Sequence, residues 1–191
     1  MIKKINSPWK LAFFSLVAFL FIVILLSLSL LTRIFPAIED KPFHVEHGSL
    51  EEGHFTITTT RENLNRVIAS KVNESPYSVQ LTESSVLFQS NISVLGRSIP
   101  IEMRLLPEVV EGGNIVLKVD SLSVAVFQLP SDQILQLIDN HGTLPEWVQI
   151  YPVEQLVYVD MGEVGKAQGL AFQFIEFDLQ TDQFELEMSI R

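Results

Sequence analysis

The chain has 191 residues, a length for one folded domain plus extras, and 47% of them are hydrophobic. It holds no cysteine, which excludes disulfides, thiolate metal sites, lipoprotein processing and a cysteine nucleophile. Residues 1–33 carry four Lys/Arg and no acid, whereas residues 34–191 carry nine Lys/Arg and all 23 Asp/Glu, a formal charge of −14 that disfavours nucleic acid and anionic polymers as partners.

In chain order, the first element is LAFFSLVAFLFIVILLSLSLLT, Leu11 to Thr32, without a charged residue. As a helix it reaches roughly 30 Å, the thickness of a bilayer core. Lys3, Lys4 and Lys10 precede it, Arg33 follows, and Trp9 suits interfacial depth; the lysines predict a cytoplasmic N-terminus. A cleaved signal peptide has an apolar core of about 7–15 residues and a small-x-small site, and RIFPAIEDKP after this run has no such site. The expectation is a single-pass plasma-membrane protein. It divides into a cytoplasmic N-terminus and transmembrane anchor (1–33), a juxtamembrane linker (34–53) and an extracytoplasmic domain (54–191). The linker stretch FPAIEDKPFHVEHGSLEEG has two prolines, two glycines and no sustained period.

HFTITTT opens the domain as a strand, with Phe55 and Ile57 on one face. Thr59 and Glu62 stand in the capping-box relation, and Leu64, Val67, Ile68, Lys71 and Val72 follow the rhythm of one helical face up to Ser75-Pro76. A helix of about 13 residues is too short to be stable alone, so its Leu64/Val67/Ile68/Val72 stripe must dock onto something.

The rest reads as sheet: YSVQL, VLFQSNISVLG, SIPIEMRLL, NIVLKVDSLSVAVF, LVYVDM, LAFQFIEFDL and FELEMSI, with turns at LGRS, EGGN and QTDQ. Two strands change apolar parity partway, after Val119 and after Phe174. Either a β-bulge or a break into two short strands produces that pattern. A second helix is expected at Ser131–Asn140, with Ser131 as N-cap and Ile134, Leu135 and Ile138 as its stripe. LPEWVQIYP reads as a proline-bounded aromatic segment. Strands in succession without alternating helices make the fold α+β: one long, curved antiparallel sheet wrapped on the amphipathic helix.

Motifs for chemistry are absent. There is no G-x-S-x-G elbow, phosphate-binding loop or G-x-G-x-x-G. Asp139 and His141 in DNHG read as a helix C-terminal turn rather than members of a triad. His44, His47 and His54 with Glu46, Glu51 and Glu52 lack the closed spacing of a zinc site, and most lie in the linker. No catalytic residue, metal ligand or cofactor is assigned, and the chain is not read as an enzyme. What remains is apolar. Leu64, Val67, Ile68, Val72, Phe127, Leu129, Trp147, Phe172 and Phe174 are either plain core or the wall of a slot left between helix and bowed sheet. Such a slot, of a few hundred Å³ or more, would take acyl chains.

The order of these pieces resembles the YpmS family of Bacillota, uncharacterised single-pass membrane proteins. It runs from NSPWK and one span through TTTRENLNRVI, the SIPIEMRLLPEVVEGGNIVLKVDSLSV block, LPSDQILQLI and LPEWVQIYP to FDLQTDQFELEM. That resemblance implies no catalytic residues. More distantly, T-x-x-x-L-N at Thr60–Asn65 and the G-G-N turn are similar to the phrasing of TULIP-type and AsmA-type lipid-handling domains. The likeness implies a helix lying in a wrapped sheet whose groove takes lipid. The expected function is therefore lipid binding by a membrane-anchored domain, in envelope lipid transfer. The alternative is a scaffold docking an envelope enzyme or assembly through a sheet edge or LPEWVQIYP. A hydrolase using His141 ranks last.

Overall fold

The computed structural model describes residues 8–34, 54–94, 97–124, 130–141 and 144–190. The chain divides into two compact units, residues 1–37 and 38–191. The first is built on helix α1, Pro8–Ile34, of 27 residues. Every side chain described from Phe13 to Ser27 is exposed. The run is large and apolar on all sides, and the rings of Phe13 and Phe14 meet edge-on at 5.9 Å. Those side chains cover about 22 Å of helix. Among the described residues no helix is long and apolar enough to cross a membrane. The expected span from Leu11 to Thr32 includes side chains outside the described residues, and residues 35–53 of the expected linker lie outside them too.

The second unit is a mixed α/β fold whose antiparallel sheet curls into a half-barrel, with few helices. The single sheet expected from the sequence is in fact two. A three-stranded sheet has β1 (His54–Thr59) and β8 (Leu170–Asp178) flanking β9 (Gln183–Ile190). The other contains β2 (Tyr77–Leu81), β3 (Val86–Val94), β4 (Arg97–Val109), β5 (Ile115–Val124), β6 (Val148–Tyr151) and β7 (Leu156–Val159), in the order β2-β3-β4-β5-β7-β6. Every pairing is antiparallel.

Alternation dictates which side of each strand is inside. Ile101, Met103 and Leu105 of β4 are buried, whereas Glu102 is half-buried and Arg104 exposed. The two parity changes are bulges, not breaks. On β5 the register passes from Arg104↔Ser121 to Leu105↔Val119, leaving Asp120 over. On β8 it passes from Phe174↔Leu186 to Glu176↔Glu185, leaving Ile175 over and 49% exposed. Each extra residue bends its strand and sharpens the twist.

The chain reaches its second helix, α2 (Arg61–Val72), straight from β1. Its N-cap is Thr60, whose side chain accepts from Asn63 N at 3.5 Å, one residue later than the capping box at Thr59. Helix α3 (Ser131–His141) buries Ile134, Leu135, Leu137 and Ile138. Ser131 is its first helical residue, not its cap, and Pro130 O accepts from Ile134 N at 3.2 Å. LPEWVQIYP, the proline-bounded aromatic segment, supplies strand β6, with Pro145 and Pro152 bounding it. The short α4 (Met161–Val164) is capped by Asp160 and was not anticipated.

The loop between β4 and β5 presses on β8. Gly113 has φ +70°, and a Cβ placed there would lie 2.5 Å from Gln173 Cβ, so only glycine admits this approach. Next to it, the buried Asn114 accepts through Oδ1 from Met161 N at 2.9 Å, which ties the loop to the start of α4.

Candidate functional site

Helix α2 does not sit inside the sheet. None of its residues is fully buried. Leu64, Ile68 and Val72 are half-buried along one face, and Val67 is 55% exposed. The helix is held to the edge strand β2 by a two-point amide clamp. Asn65 Nδ2 donates to Leu81 O at 2.9 Å, and Asn65 Oδ1 accepts from Leu81 N at 2.7 Å. Its N-terminus is held by the turn between β8 and β9. Asp182 Oδ1 accepts from Arg61 N at 2.7 Å, and Arg61 Nη1 donates to Leu179 O at 3.2 Å. That turn is itself braced by Asp178, whose Oδ1 accepts from Gln180 N at 2.7 Å and Thr181 N at 3.0 Å. Hydrogen bonds from the Thr181 backbone, its side chain and the Gln180 backbone hold the Asp178 carboxyl below its ordinary 3.8.

Between the C-terminal half of α2 and strands β2–β5 lies an open groove of about 830 Å³. Ala69 and Val72 come from the helix, and Asn73, Ser75 and Pro76 from the turn after it. The strands add a polar row at Ser78, Gln89, Glu102 and Ser123 and the exposed Pro100, while the side chains of Val79 and Ile101 alternate to the other face of the sheet. The row is a consequence of register: Ser78 pairs with Gln89, Gln89 with Glu102 and Glu102 with Ser123, one residue from each of four neighbouring strands. Gln89 Nε2 donates to Glu102 Oε2 at 2.9 Å. No Lys or Arg forms an ion pair with Glu102 among the described residues. The groove offers hydroxyls, amides and one carboxylate along one line, with aliphatic surface beside them.

Among the described residues that the sequence offered as an apolar wall, only Val72 lines this groove. Phe174 is buried in the three-stranded sheet, its ring 5.0 Å edge-on from that of Phe177. Phe172 is half-buried there, next to Gly165. Trp147 is half-buried beside β6, and its carbonyl accepts from Asp160 N at 2.9 Å. Phe127 and Leu129 lie outside the described residues, as do His44, Glu46, His47, Glu51, Glu52 and the side chain of His141. His54 is exposed at the start of β1, and no group of metal-ligating residues occurs among the described ones. The polar row went unseen because alternation marks Gln89 and Glu102 only as outward-facing; pairing across four strands is a register fact.

Fold and groove together define a class: a mixed α/β protein with a half-barrel antiparallel sheet and an open cleft of mixed polarity at its helix-covered edge. The chain belongs to the family described as "Uncharacterized protein conserved in bacteria (DUF2140)", whose model matches residues 7–190. No curated protein and no solved structure matches it.

Proposed function

We propose that this chain is a non-enzymatic, membrane-anchored extracytoplasmic domain that binds a lipid or another long amphiphile in the groove beside α2, as a step in envelope lipid transfer. The groove of about 830 Å³ carries this reading: it lies within the size range of ligand sites and has one aliphatic and one polar side. The uncharged run from Leu11 to Thr32 supports the anchor, and the three lysines before it support a cytoplasmic N-terminus in the plasma membrane. The YpmS likeness supports the same arrangement.

Magnitudes say where selectivity would arise. Eight methylenes laid against Ala69, Val72, Pro76 and Pro100 contribute about 6 kcal/mol at about 0.8 each. Lost translational and rotational freedom costs about 4–15 kcal/mol. Tail burial alone therefore gives weak binding, and the polar row must hold the head. Glu102 favours a head with hydroxyl or ammonium donors over an anionic one. A test is native mass spectrometry of the full-length chain extracted in mild detergent, beside Ala69→Trp, which fills the groove from an exposed helical position. The expected result is co-purified lipid on the unmodified chain and its loss from the variant. Equal lipid on both, or none on either, overturns the reading.

The polar half of the groove favours a second reading, a scaffold docking an envelope protein. In that case in-cell crosslinking from Ser78→Cys captures a polypeptide and the lipid signal is absent.

A further inference from the structure

Among the described residues, one edge of the three-stranded sheet is unguarded. β1 bonds to β9 on one side, and no described strand lies on the other. Its register is unbroken, from His54↔Ser189 to Thr59↔Phe184. HFTITT holds no Asp, Glu, Lys, Arg or proline, and residues 54–58 are all exposed. Proteins ordinarily blunt such an edge with charge, proline, a bulge or a covering segment. The other outer strands of this unit have such devices. β2 is covered by α2, and Asn65 takes the N–H and C=O of Leu81. β8 is bulged at Ile175, and the Gly113 loop presses on it. β6 has only four residues.

The apolar face of this sheet also stops abruptly at β1. Leu186 and Phe174 are buried, but Ile57, which pairs with Leu186, is 38% exposed, and Phe55, which pairs with Met188, is 58% exposed. What continues the sheet must present apolar residues at the same spacing on the same face.

We propose that β1 pairs antiparallel with β1 of a second copy of this chain, about a two-fold axis through Thr56. Symmetry limits the registers. In an antiparallel pair, directly opposed residues point to the same face. Only registers that oppose residues of equal parity keep the two apolar faces continuous. Centring on Thr56 sets Phe55 opposite Ile57 of the other copy, twice, which is the aromatic–β-branched pairing that cross-strand contacts favour. It also sets His54 opposite Thr58 and Thr56 opposite itself. Charge permits the arrangement although the domain is strongly acidic. Among the described residues, the acids paired with β1 are Glu185 and Glu187 of β9, opposite Thr58 and Thr56. Across the joined sheet the two copies of β9 stand three strand spacings apart, about 14 Å, beyond the Debye length of about 8 Å at physiological salt. The interface is small, and confinement to one bilayer would raise the local concentration of copies. That assistance rests on the anchor proposed above; the register does not, and neither depends on what fills the groove.

The absence of cysteine makes the test clean. Thr56→Cys, Thr58→Cys and His54→Cys are made singly in the full-length chain, reconstituted in phosphatidylcholine vesicles and oxidised with copper phenanthroline. Thr56→Cys is expected to form a covalent dimer, since opposed Cα atoms lie within disulfide reach. Thr58→Cys alone is expected to crosslink at least tenfold less, because its symmetry mate lies about 14 Å along the strand. Mixing Thr58→Cys with His54→Cys restores the dimer. A Thr56→Cys chain that stays monomeric, or Thr58→Cys alone crosslinking as fast, overturns the proposal. Repeating the oxidation at high protein concentration in detergent separates the two readings: a dimer in both media keeps the register whether or not the chain spans a bilayer.

Discussion

Replacing Asn65 with alanine tests how α2 is attached. The helix has no fully buried residue, so its apolar stripe alone holds it weakly. The amide clamp to Leu81 does the fixing, and Leu81 is only 4% exposed. Alanine removes both hydrogen bonds and strands one N–H and one C=O at a nearly dry position. Each stranded group costs about 1–3 kcal/mol, less where water can reach in beside the shortened side chain, so the expected loss is about 2–4 kcal/mol. Against a total stability of about 5–15 kcal/mol this is large. At about 2–4 °C per kcal/mol for a domain of this size, Tm falls by roughly 5–15 °C. The assay is thermal unfolding of the full-length chain in mild detergent, followed by near-ultraviolet circular dichroism. Asn65→Asp is the discriminating partner. It keeps the acceptor for Leu81 N–H but sets an anionic oxygen against Leu81 C=O, and is expected to lose nearly as much. An alanine variant within about 1 °C of the unmodified chain, or an aspartate variant that melts with it, would refute the clamp.

The two loop glycines with similar φ should respond differently. Gly113→Ala has both a positive φ and a Cβ 2.5 Å from Gln173 Cβ, and is expected to cost more than about 3 kcal/mol or to prevent folding. Gly169→Ala has φ +69° and open space, and is expected to cost only about 1 kcal/mol; chemical denaturation compares the two. Asp178 is held below its ordinary 3.8 by the hydrogen bonds of the turn, so ionisation of this carboxylate favours the folded state above that value. The advantage of the unmodified chain over Asp178→Asn should therefore be present at neutral pH and vanish as pH falls through the lowered value. Melting curves in a pH series from 7 to 2 check this, and an advantage unchanged in acid would contradict it. Arg61→Ala loses the bond to Leu179 O, and hydrogen exchange should quicken in residues 178–183 before it does elsewhere.

Much of the second unit was legible because strand periodicity is local. The alternation in SIPIEMRLL matches the buried Ile101, Met103 and Leu105. The parity changes after Val119 and Phe174 matched register shifts in β5 and β8, since an extra residue leaves its mark on the order of side chains. Two helices were legible from their apolar stripes to within a residue or so at each end, although neither Thr59 nor Ser131 is the N-cap. The candidate site was hardly legible at all. The sequence reading sought apolar walls, and the groove's distinctive line is Ser78, Gln89, Glu102 and Ser123. Those residues are up to 45 positions apart in the chain and meet only through strand pairing.

The amino-acid order by itself determined the uncharged run near the N-terminus, the acidic character of everything after it, and a strand-rich fold punctuated by two helices and two changes of apolar parity. These follow from composition, short-range spacing and turn chemistry. Only the tertiary structure decided that the strands fall into two sheets, that α2 is clamped to an edge instead of being swallowed, and that the phenylalanines of β8 line a different sheet from the groove. Those outcomes depend on which strand lies beside which. Adjacency is set by summed packing and hydrogen bonding between distant segments, and no local window of sequence contains it.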